Sequence, residues 1–320
     1  MVLPAARSSS AVVATVCLGI LGFATALSCS AAAATLAPPK AARRPAADAD
    51  AISEPSCKLT RFAAGRVTTV IDGRTFVLDD GRAIRLAAIE VPPVTAPGEA
   101  RRPVADPVGS VSADPLSAGE TARRALAALV IDRDVVVKYA DATPPPVDRY
   151  EHFVGYGFVT DGTAEHSLQE ALLASGQAQL SVHVEPAACR SSLRAREDAA
   201  RRAALGLWAD PVYSVHDAVG PADIRPRRGR FAVIEGEVVS VRESHGTIYV
   251  NFSQRWSKGF SAFIRKRNTV HFPAAGRDLR RLKGRRVEVR GYVEQRRGLL
   301  MAVERPEQIA IIADHTPTRP

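Results

Sequence analysis

The chain has 320 residues, of which 46% are hydrophobic and 24% are charged. This composition excludes a low-complexity disordered protein, supplies enough apolar residues for a core, and at this length favours two domains. The formal net charge is +9, and the excess lies in residues 221–320, which hold 21 Lys and Arg against 10 Asp and Glu. A basic C-terminal third predicts a polyanionic partner, either nucleic acid or an anionic membrane surface.

The N-terminal segment has the pattern of a cleaved export signal. Arg7 precedes an apolar run over residues 11–27, and the small residues at 31–34 fit an A-x-A cleavage site. The run is too short and too rich in alanine for a permanent span, so we expect no integral membrane span after its removal. We predict a signal peptide over residues 1–34 and a periplasmic or secreted protein, with lipid attachment at Cys29 as the alternative.

Residues 35–58 are rich in alanine and proline, and this composition predicts a disordered linker. Two of the four cysteines lie within the signal, so only Cys57 and Cys189 remain in the mature chain. A pair of cysteines in an exported protein is more often bridged than free, and we predict a disulfide between them. The alternative is two separate buried thiols.

Residues 65–93 have the pattern of three short strands joined by tight turns. Asp72-Gly73 and Asp80-Gly81 are turn pairs, because glycine reaches positive φ at no steric cost. Pro92-Pro93 ends the sheet, since proline has no N–H for a strand ladder. The apolar strand positions are Val67, Val70, Phe76, Leu78, Ile84, Leu86 and Ile89.

Residues 93–210 alternate between loop, helix and strand patterns. The first segment is a proline-rich loop, and loops of that length are usually functional or mobile. Ser117 and Glu120 have capping-box spacing at the start of a helix. In chain order we predict a loop over 93–115, a helix over 117–130, strands over 134–139 and 150–160, a helix over 167–175, an irregular segment or short strand over 177–183, and a helix over 191–205.

Two stretches of this region carry a family resemblance. Residues 70–75 read V-I-D-G-R-T and residues 85–93 read R-L-A-A-I-E-V-P-P, and both resemble the opening barrel motifs of the thermonuclease (staphylococcal-nuclease-like) family. Residues 148–156 and the Gly-Leu-Trp at 206–208 resemble its later motifs. The resemblance implies a thermonuclease-like domain over residues 59–210, with an α+β fold in which an OB-type barrel packs against three helices.

The resemblance also implies Ca²⁺-dependent hydrolysis of nucleic-acid phosphodiesters, and the metal positions are altered here. Arg74 stands where the family has its first metal aspartate, and a guanidinium cannot bind Ca²⁺. Glu90 stands where the family has its second metal aspartate and is the one remaining candidate ligand side chain. Val91 replaces the threonine whose backbone carbonyl binds the ion in the family. We therefore expect no resident cofactor.

The catalytic positions are altered as well. Pro93 replaces the glutamate that orients the attacking water, so the base is missing. Arg85 keeps the first catalytic arginine of the family, and His152 occupies the position of the second. We predict that the calcium mechanism is absent and that the domain is a pseudoenzyme. The alternative is a substitute carboxylate from the proline-rich loop, namely Glu99, Asp106 or Asp114.

Arg74 and Arg85 suggest a second use of this pocket. A guanidinium can replace part of the charge of a cation and bind phosphate with two hydrogen bonds. The pair therefore predicts a site that binds a phosphodiester without cutting it. The equally weighted alternative is a salt bridge from Arg74 to Glu90 or Asp72.

The rest of the chain has the pattern of a second β-rich domain. Residues 211–229 contain three prolines and predict a linker. Residues 230–314 show about five strand patterns, with a short helix over 279–282 between the third and the fourth, and this order resembles an OB-like barrel. Gly236 within the long first strand predicts a bend at a barrel corner.

Cations alternate with aromatic residues in this second domain, a pattern typical of surfaces that stack bases and contact phosphates. The alternative is that the aromatic residues are core and the charges only solvate the surface. The predicted nucleic-acid-binding residues are Arg255, Trp256, Lys258, Arg265, Lys266, Arg267, Arg285 and Arg286.

Three functions fit these observations. The first is an exported nucleic-acid-binding protein built on the nuclease scaffold. The second is a divergent metal-dependent nuclease or phosphodiesterase. The third is an envelope protein whose barrels bind another protein. Because fold alone does not fix function, an assay of binding and cleavage is needed to separate them.

Overall fold

The computed structural model describes residues 57–94, 117–140, 146–255, 259–273, 279–296 and 298–312, all within one compact unit. The predicted signal peptide, nearly all of the predicted linker over 35–58, and the loop carboxylates at 99, 106 and 114 lie outside these ranges. Trp256 and Lys258 also lie outside them. Within the described ranges, no helix is long and apolar enough to cross a membrane.

The first part of the chain is an α+β barrel, as predicted. Its strands form one sheet of order β3-β2-β1-β5-β6-β7, and β3 also pairs in parallel with β6, which closes the sheet into a ring. A separate two-stranded pair joins β4 and β8. The elements are β1 (Thr60–Asp72), β2 (Thr75–Leu78), β3 (Ala83–Leu86), β4 (Ile89–Glu90), α1 (Ala118–Val130), β5 (Asp134–Tyr139), β6 (Phe153–Asp161), β7 (Ala164–Ser167), α2 (Leu168–Ala174), β8 (Gln179–Leu180) and α3 (Arg190–Arg202).

The predicted apolar positions fill the core of this barrel. All seven strand residues named above are buried, and Leu126 of α1 and Leu172 of α2 pack with them. Ser117 caps α1 by accepting a hydrogen bond from the N–H of Glu120 at 3.2 Å, which confirms the predicted helix start. Strand β1 is longer than predicted because its first half pairs with β5 and its second half with β2.

The two turn glycines serve different purposes. Gly81 has φ of +87°, as the turn prediction requires. Gly73 does not have positive φ, so that part of the prediction is wrong. A Cβ at Gly73 would lie 2.6 Å from the Cβ of Ala122 in α1, and the absence of a side chain is what lets the turn contact the helix.

The predicted disulfide is present and joins the two ends of the first barrel. Cys57 precedes β1, and Cys189 lies in a 3₁₀ turn before α3, with the two Cα atoms 4.6 Å apart. The bridge closes a span of 132 positions. A bridge of this kind typically stabilises the folded state by about 2–4 kcal/mol.

Residues 211–229, where a linker was predicted, contain regular structure. They contain β9 (His216–Asp217), the single-turn helix α4 (Pro221–Ile224) and a 3₁₀ turn (Arg225–Arg227). Ala218 and Ile224 are fully buried in the core of the second barrel, so this segment packs against the domain that follows. The domain boundaries themselves remain a prediction.

A second barrel follows. Its sheet has the order β11-β12-β13-β15-β14-β10-β9, β13 and β15 are parallel, and β16 pairs with β14. The long first strand of the prediction is divided into β10 and β11, which bend apart after Gly236. The strands are β10 (Phe231–Glu237), β11 (Ser240–Ser244), β12 (Thr247–Asn251), β13 (Phe260–Arg265), β14 (Arg286–Gln295), β15 (Leu299–Ala302) and β16 (Ile309–Ile311), with 3₁₀ helices at Lys266–His271, Leu279–Leu282 and Pro306–Gln308.

The two barrels have the same strand order. In each one the first strand pairs with the second and the fourth, the third pairs in parallel with the fifth, and helical turns separate the third from the fourth. In the first barrel these strands are β1, β2, β3, β5 and β6. In the second they are the bent β10–β11 strand, β12, β13, β14 and β15.

A buried ion network joins the barrels. Arg290 of β14 is 1% exposed and donates hydrogen bonds to Glu197 of α3 at 2.9 Å and to Glu288 at 2.7 Å. Arg194 and Arg201 of α3 also donate to Glu288, at 2.8 Å each. Burial alone would raise the pKa of Glu288, but Arg290 and Arg194 hold that pKa well below its usual range. These contacts fix β14 against the first barrel.

Candidate functional site

Arg74 occupies the turn after β1 and pairs with Glu90. The carboxylate of Asp72 accepts the backbone N–H of Arg74 at 2.8 Å, which sets the direction in which the arginine leaves the turn. The guanidinium donates to Glu90 Oε2 at 2.7 Å and to the carbonyl of Ile89 at 2.8 Å. Both charged side chains are about seven-eighths buried, with 14% and 13% of their surface exposed.

Glu90 has two further donors. The hydroxyl of Ser181 donates to its Oε1 at 3.1 Å, and the hydroxyl of Tyr292 donates to its Oε2 at 2.9 Å. Tyr292 belongs to β14, so the second barrel supplies part of this cluster. Burial and the adjacent Glu90 carboxylate raise the pKa of Tyr292 above its usual value, which keeps the phenol protonated as a donor. We call Arg74, Glu90, Ser181 and Tyr292 the Arg74 cluster.

The Arg74 cluster does not fit Ca²⁺. That ion takes six to eight oxygen ligands, whereas here a guanidinium stands beside the one carboxylate and three donors already hold it. Within the described part of the chain, no group of three or more His, Cys, Asp and Glu side chains gathers in a way that could hold a metal. Pro93 lies against α1, where its carbonyl fills the space beside Gly119.

A second polar cluster lies at the neighbouring strand ends. Arg85 of β3 donates to Asp148 Oδ2 at 3.2 Å, and Nδ1 of His152 lies 3.1 Å from the same oxygen. The parallel pairing of β3 with β6 brings them together, because Arg85 is opposite Val154. The three side chains are 27%, 17% and 21% exposed in the order Arg85, Asp148, His152, so solvent and ligands can reach them. We call these three residues the Asp148 cluster.

Asp148 is ionised and orients the imidazole. Burial raises its pKa, but the backbone N–H groups of His152 and Tyr150 and the His152 ring outweigh it, and the pKa lies below the usual value. A carboxylate can only accept, so Nδ1 of His152 donates the hydrogen bond, and in the neutral imidazole Nε2 carries the lone pair. Nε2 has no hydrogen-bond partner among the described residues.

Tyr150 and Arg149 border the Asp148 cluster. The Tyr150 ring is 57% exposed, and its centroid is 5.9 Å from that of His152. The guanidinium of Arg149 lies 4.7 Å from the centre of the Tyr150 ring and donates to its hydroxyl at 2.6 Å. This arrangement puts an accessible aromatic surface and a cation beside the imidazole.

The structure therefore separates the predicted pocket into two clusters on one barrel edge. The carbonyl of Arg74 accepts the N–H of Leu86 at 2.7 Å, one residue beyond Arg85. Arg74 pairs with Glu90, as the salt-bridge alternative expected, and Arg85 pairs with Asp148. A phosphate-binding role for the two arginines remains a prediction. Asp148 was not a predicted site residue, although its spacing of four positions from His152 at a strand start was a usable signal.

The predicted nucleic-acid-binding residues of the second barrel have different environments. Lys266 pairs with Glu243 at 2.9 Å, and Arg286 lies 3.5 Å from Glu235. The others in the described ranges are exposed and have no hydrogen-bonded or ion-paired side-chain partner there. These are Arg255, Arg265, Arg267 and Arg285.

The outer face of β12 and β13 carries an aromatic pair that the sequence prediction missed. Tyr249 and Phe263 are cross-strand partners, with ring centroids 6.4 Å apart. Arg296 lies 5.7 Å from the centre of the Phe263 ring, and exposed Arg242 is the cross-strand partner of Tyr249. Strand alternation was the available signal. Ile248 and Val250 face the core, so Tyr249, which lies between them, faces outward. We call Arg242, Tyr249, Phe263 and Arg296 the aromatic face.

Comparison with known proteins supports the class predicted for the first barrel. The sequence model of the family described as "Staphylococcal nuclease homologue" matches residues 83–210. This part of the chain is therefore similar to staphylococcal nuclease, which supports the thermonuclease-like domain predicted from the motifs. The match contains the Asp148 cluster and Glu90 but begins after Arg74. No curated protein matches the chain.

Proposed function

We propose that this chain is an exported nucleic-acid-binding protein whose second barrel contacts nucleic acid through the aromatic face. A staphylococcal-nuclease-like domain supports a nucleic-acid-binding fold in general. The observation that carries the proposal is the Tyr249–Phe263 pair with Arg242 and Arg296 beside it. We infer an OB-like assignment for the second barrel from its strand order.

The aromatic face combines the two interactions that single strands need. Bases stack on accessible aromatic rings whatever their sequence, and arginines contact the phosphates between them. Here the half-buried Tyr249 offers the accessible ring, whereas Phe263 is only 5% exposed and packs beside it. In OB-type barrels the face of the second and third strands is a common oligonucleotide surface, and here those strands are β12 and β13. Arg265 extends the cationic surface, because it follows Phe263 by two positions on the same face of β13.

The proposed role for the first barrel is support without calcium-dependent hydrolysis. The Arg74 cluster supplies a positive charge where the family has a metal ligand, and its only carboxylate is held by three donors. A divergent metal-dependent nuclease would need ligands from residues outside the described ranges. The disulfide fits the proposed export, because bridges form in oxidising compartments such as the periplasm or the extracellular medium.

Fluorescence anisotropy with labelled single-stranded DNA and RNA tests the binding proposal. Stacking is worth about 1–3 kcal/mol per base, so Tyr249→Ala should weaken binding by about 5- to 150-fold. Arg242→Ala should also weaken binding. In a plot of log affinity against log salt concentration, the slope should become shallower by about 0.7 for each single-strand phosphate that is no longer neutralised. Arg61→Ala is the matched control, since Arg61 is exposed on the first barrel and has no ion-pair partner in the described ranges.

Two results would contradict the proposal. Unchanged affinity in both Tyr249→Ala and Arg242→Ala would exclude the aromatic face as the binding surface. Cleavage that requires added Ca²⁺, Mg²⁺ or Mn²⁺ and is lost in EDTA would show that the first barrel retains a metal-dependent reaction.

A further inference from the structure

The Asp148 cluster holds the groups that a metal-free phosphodiester reaction needs. Nδ1 of His152 donates to Asp148 at 3.1 Å, so in the neutral imidazole Nε2 carries the lone pair. Arg85 donates one N–H to Asp148, and its guanidinium has no second partner in the described part of the chain. The cluster thus places a base beside a positive charge, and no third ligand side chain among the described residues joins Asp148 and His152 to hold a metal.

We propose that the Asp148 cluster cleaves RNA, but not DNA, without a metal ion. The inference takes its substrate class from the proposed function, because an RNA strand bound by this protein supplies both the phosphodiester and the neighbouring 2′-hydroxyl. It adds an activity that the calcium chemistry implied by the family resemblance does not include.

The reaction is an internal transfer of the phosphoryl group. His152 Nε2 takes the proton of the 2′-hydroxyl, and the 2′-oxygen forms a bond to phosphorus while the bond from phosphorus to the 5′-oxygen breaks. The leaving 5′-oxygen takes a proton from water, and the imidazolium returns its proton to solvent. The products are a 2′,3′-cyclic phosphate and a 5′-hydroxyl, with no change of oxidation state. DNA has no 2′-hydroxyl and cannot react in this way.

Each residue around the imidazole has a defined part. Asp148 is a positioning residue, since it acts through His152 by fixing the tautomer. Arg85 faces the charge that develops on the phosphate oxygens. Tyr150, 57% exposed and beside the His152 ring, offers a stacking surface for the base next to the cleaved bond. The guanidinium of Arg149 lies 4.7 Å from the centre of the same ring.

The other polar cluster on this edge is not suited to the reaction. Glu90 already accepts hydrogen bonds from Arg74, Ser181 and Tyr292. Of the two clusters, only the Asp148 cluster has a ring nitrogen with no partner among the described residues, so we assign the base to His152.

The test uses the full-length protein with EDTA and a DNA oligonucleotide that contains one ribonucleotide. We expect cleavage at that residue only, with a 2′,3′-cyclic phosphate identified by mass spectrometry. General base catalysis contributes about 10²- to 10⁴-fold, so His152→Ala should lower the rate by that factor with an unchanged thermal midpoint. His166→Ala, an exposed histidine of β7 purified in parallel, is the matched control and should cleave like the wild type.

Asp148→Asn changes the contacts of Oδ2 and leaves those of Oδ1. The asparagine oxygen can still accept the two backbone N–H groups. Its amide nitrogen faces Nδ1 of His152, which moves the ring proton to Nε2, and it no longer accepts the hydrogen bond from Arg85. We expect a lower kcat with little change in KM, and a changed tautomer in the ¹⁵N spectrum of the His152 ring. Activity retained in Asp148→Asn with the tautomer moved would overturn the role of Asp148.

The ribodinucleotide UpA distinguishes failure of this inference from failure of the proposed function. It is too short to need the aromatic face, so its cleavage depends on the Asp148 cluster alone. Cleavage of UpA without binding of longer strands would support this inference and contradict the binding proposal. Intact UpA in EDTA, equal cleavage by His152→Ala, or equal cleavage of all-DNA substrate would overturn the inference.

Discussion

The two barrels have the same strand order but distribute their arginines differently. In the first barrel Arg74 and Arg85 are paired with Glu90 and Asp148 at distances of 2.7 and 3.2 Å. In the second, Arg242 and Arg265 are exposed and have no side-chain partner in the described ranges. An arginine that already holds a carboxylate offers phosphate only its remaining N–H groups. The first barrel therefore presents a partly neutralised edge, whereas the second adds Arg242 and Arg265 to an aromatic face whose Arg296 is itself paired with Glu294 at 3.1 Å.

The junction between the barrels follows a third arrangement, in which charges of both signs are buried together. Arg290, Glu288 and Glu197 are each at most 2% exposed. Burying such groups costs desolvation energy, which is recovered only when every donor and acceptor is paired in good geometry. We infer that this network fixes the orientation of one barrel on the other, and with it the position of Tyr292 over Glu90.

The largest expected effect is the loss of this network. Arg290→Ala removes the donor shared by Glu197, Glu288 and the carbonyl of Leu180, and leaves a buried space. Breaking a buried pair from one side costs about 3–5 kcal/mol, so the free energy of unfolding should fall by that amount in urea titration. Lys266→Ala, which breaks the exposed pair with Glu243, should stay within about 1 kcal/mol of wild type. Equal effects of the two substitutions would show that the junction contributes no more than a surface pair.

A medium effect is expected where a glycine lets another segment approach a barrel. In Gly73→Ala the new Cβ would lie 2.6 Å from the Cβ of Ala122 and 3.2 Å from its backbone carbon. In Gly236→Ala the nearest atoms belong to the side chains of Ala218, at 2.6 Å, and Phe252, at 3.0 Å. Each should lower the free energy of unfolding by about 1–3 kcal/mol. Backbone moves less easily than a side chain, so the first-barrel variant should lose more.

Gly220→Ala is the control for this pair of substitutions. Its Cβ would meet the far end of the Asp223 side chain at 3.2 Å and the carbonyl of Asp217 at an ordinary 3.8 Å, so the free energy of unfolding should change by less than about 0.5 kcal/mol. If Gly236→Ala were the more harmful variant, the close contact in the second barrel would be the more rigid one.

The strands and helices of the first barrel could be predicted from the sequence because local signals mark them. Alternating apolar residues, turn glycines and the Ser117 cap each depend on neighbours a few positions away. The Cys57–Cys189 bridge was also predictable, since the other two cysteines lie within the predicted signal peptide. The ordered structure within residues 211–229 was missed because the prolines and glycines there are equally typical of linkers. Its order comes from Ala218 and Ile224, which pack into a distant core.

The candidate site was harder to predict because its pairs join distant positions. Arg85 and Asp148 are 63 residues apart, and Glu90 and Tyr292 are 202 residues apart. Motif positions identified Arg74, Arg85, Glu90 and His152, and the Arg74–Glu90 pair was one of the expected alternatives. No local pattern indicates that Asp148 pairs with Arg85 or that Tyr292 pairs with Glu90. The parallel pairing of β3 with β6 brings Asp148 to Arg85. The junction between the barrels brings Tyr292 to Glu90.

The smallest expected effect concerns the contact between the barrels at Glu90. Tyr292→Phe removes one donor but keeps the ring that packs edge-on against Phe231 at 5.8 Å. Arg74 and Ser181 still hold the carboxylate, and Tyr292 is 47% exposed, so the free energy of unfolding should fall by only about 1 kcal/mol at pH 7. Tyr150→Phe, which removes an exposed hydroxyl far from Glu90 in sequence, should have a smaller effect.

The pH dependence of this last effect gives a sharper test. The pKa of Tyr292 is raised in the folded protein, so its protonated form contributes stability that is complete below the unfolded value of about 10. Above that pH the Tyr292 phenol ionises in the unfolded chain before it ionises in the folded protein, so the wild type loses this stabilisation. Tyr292→Phe has no phenol and therefore loses nothing at this position. The stability difference between the two proteins should therefore shrink as pH rises past about 10. A difference that stays constant would mean that the phenol does not depend on Glu90, and that the second barrel does not hold the Arg74 cluster through this contact.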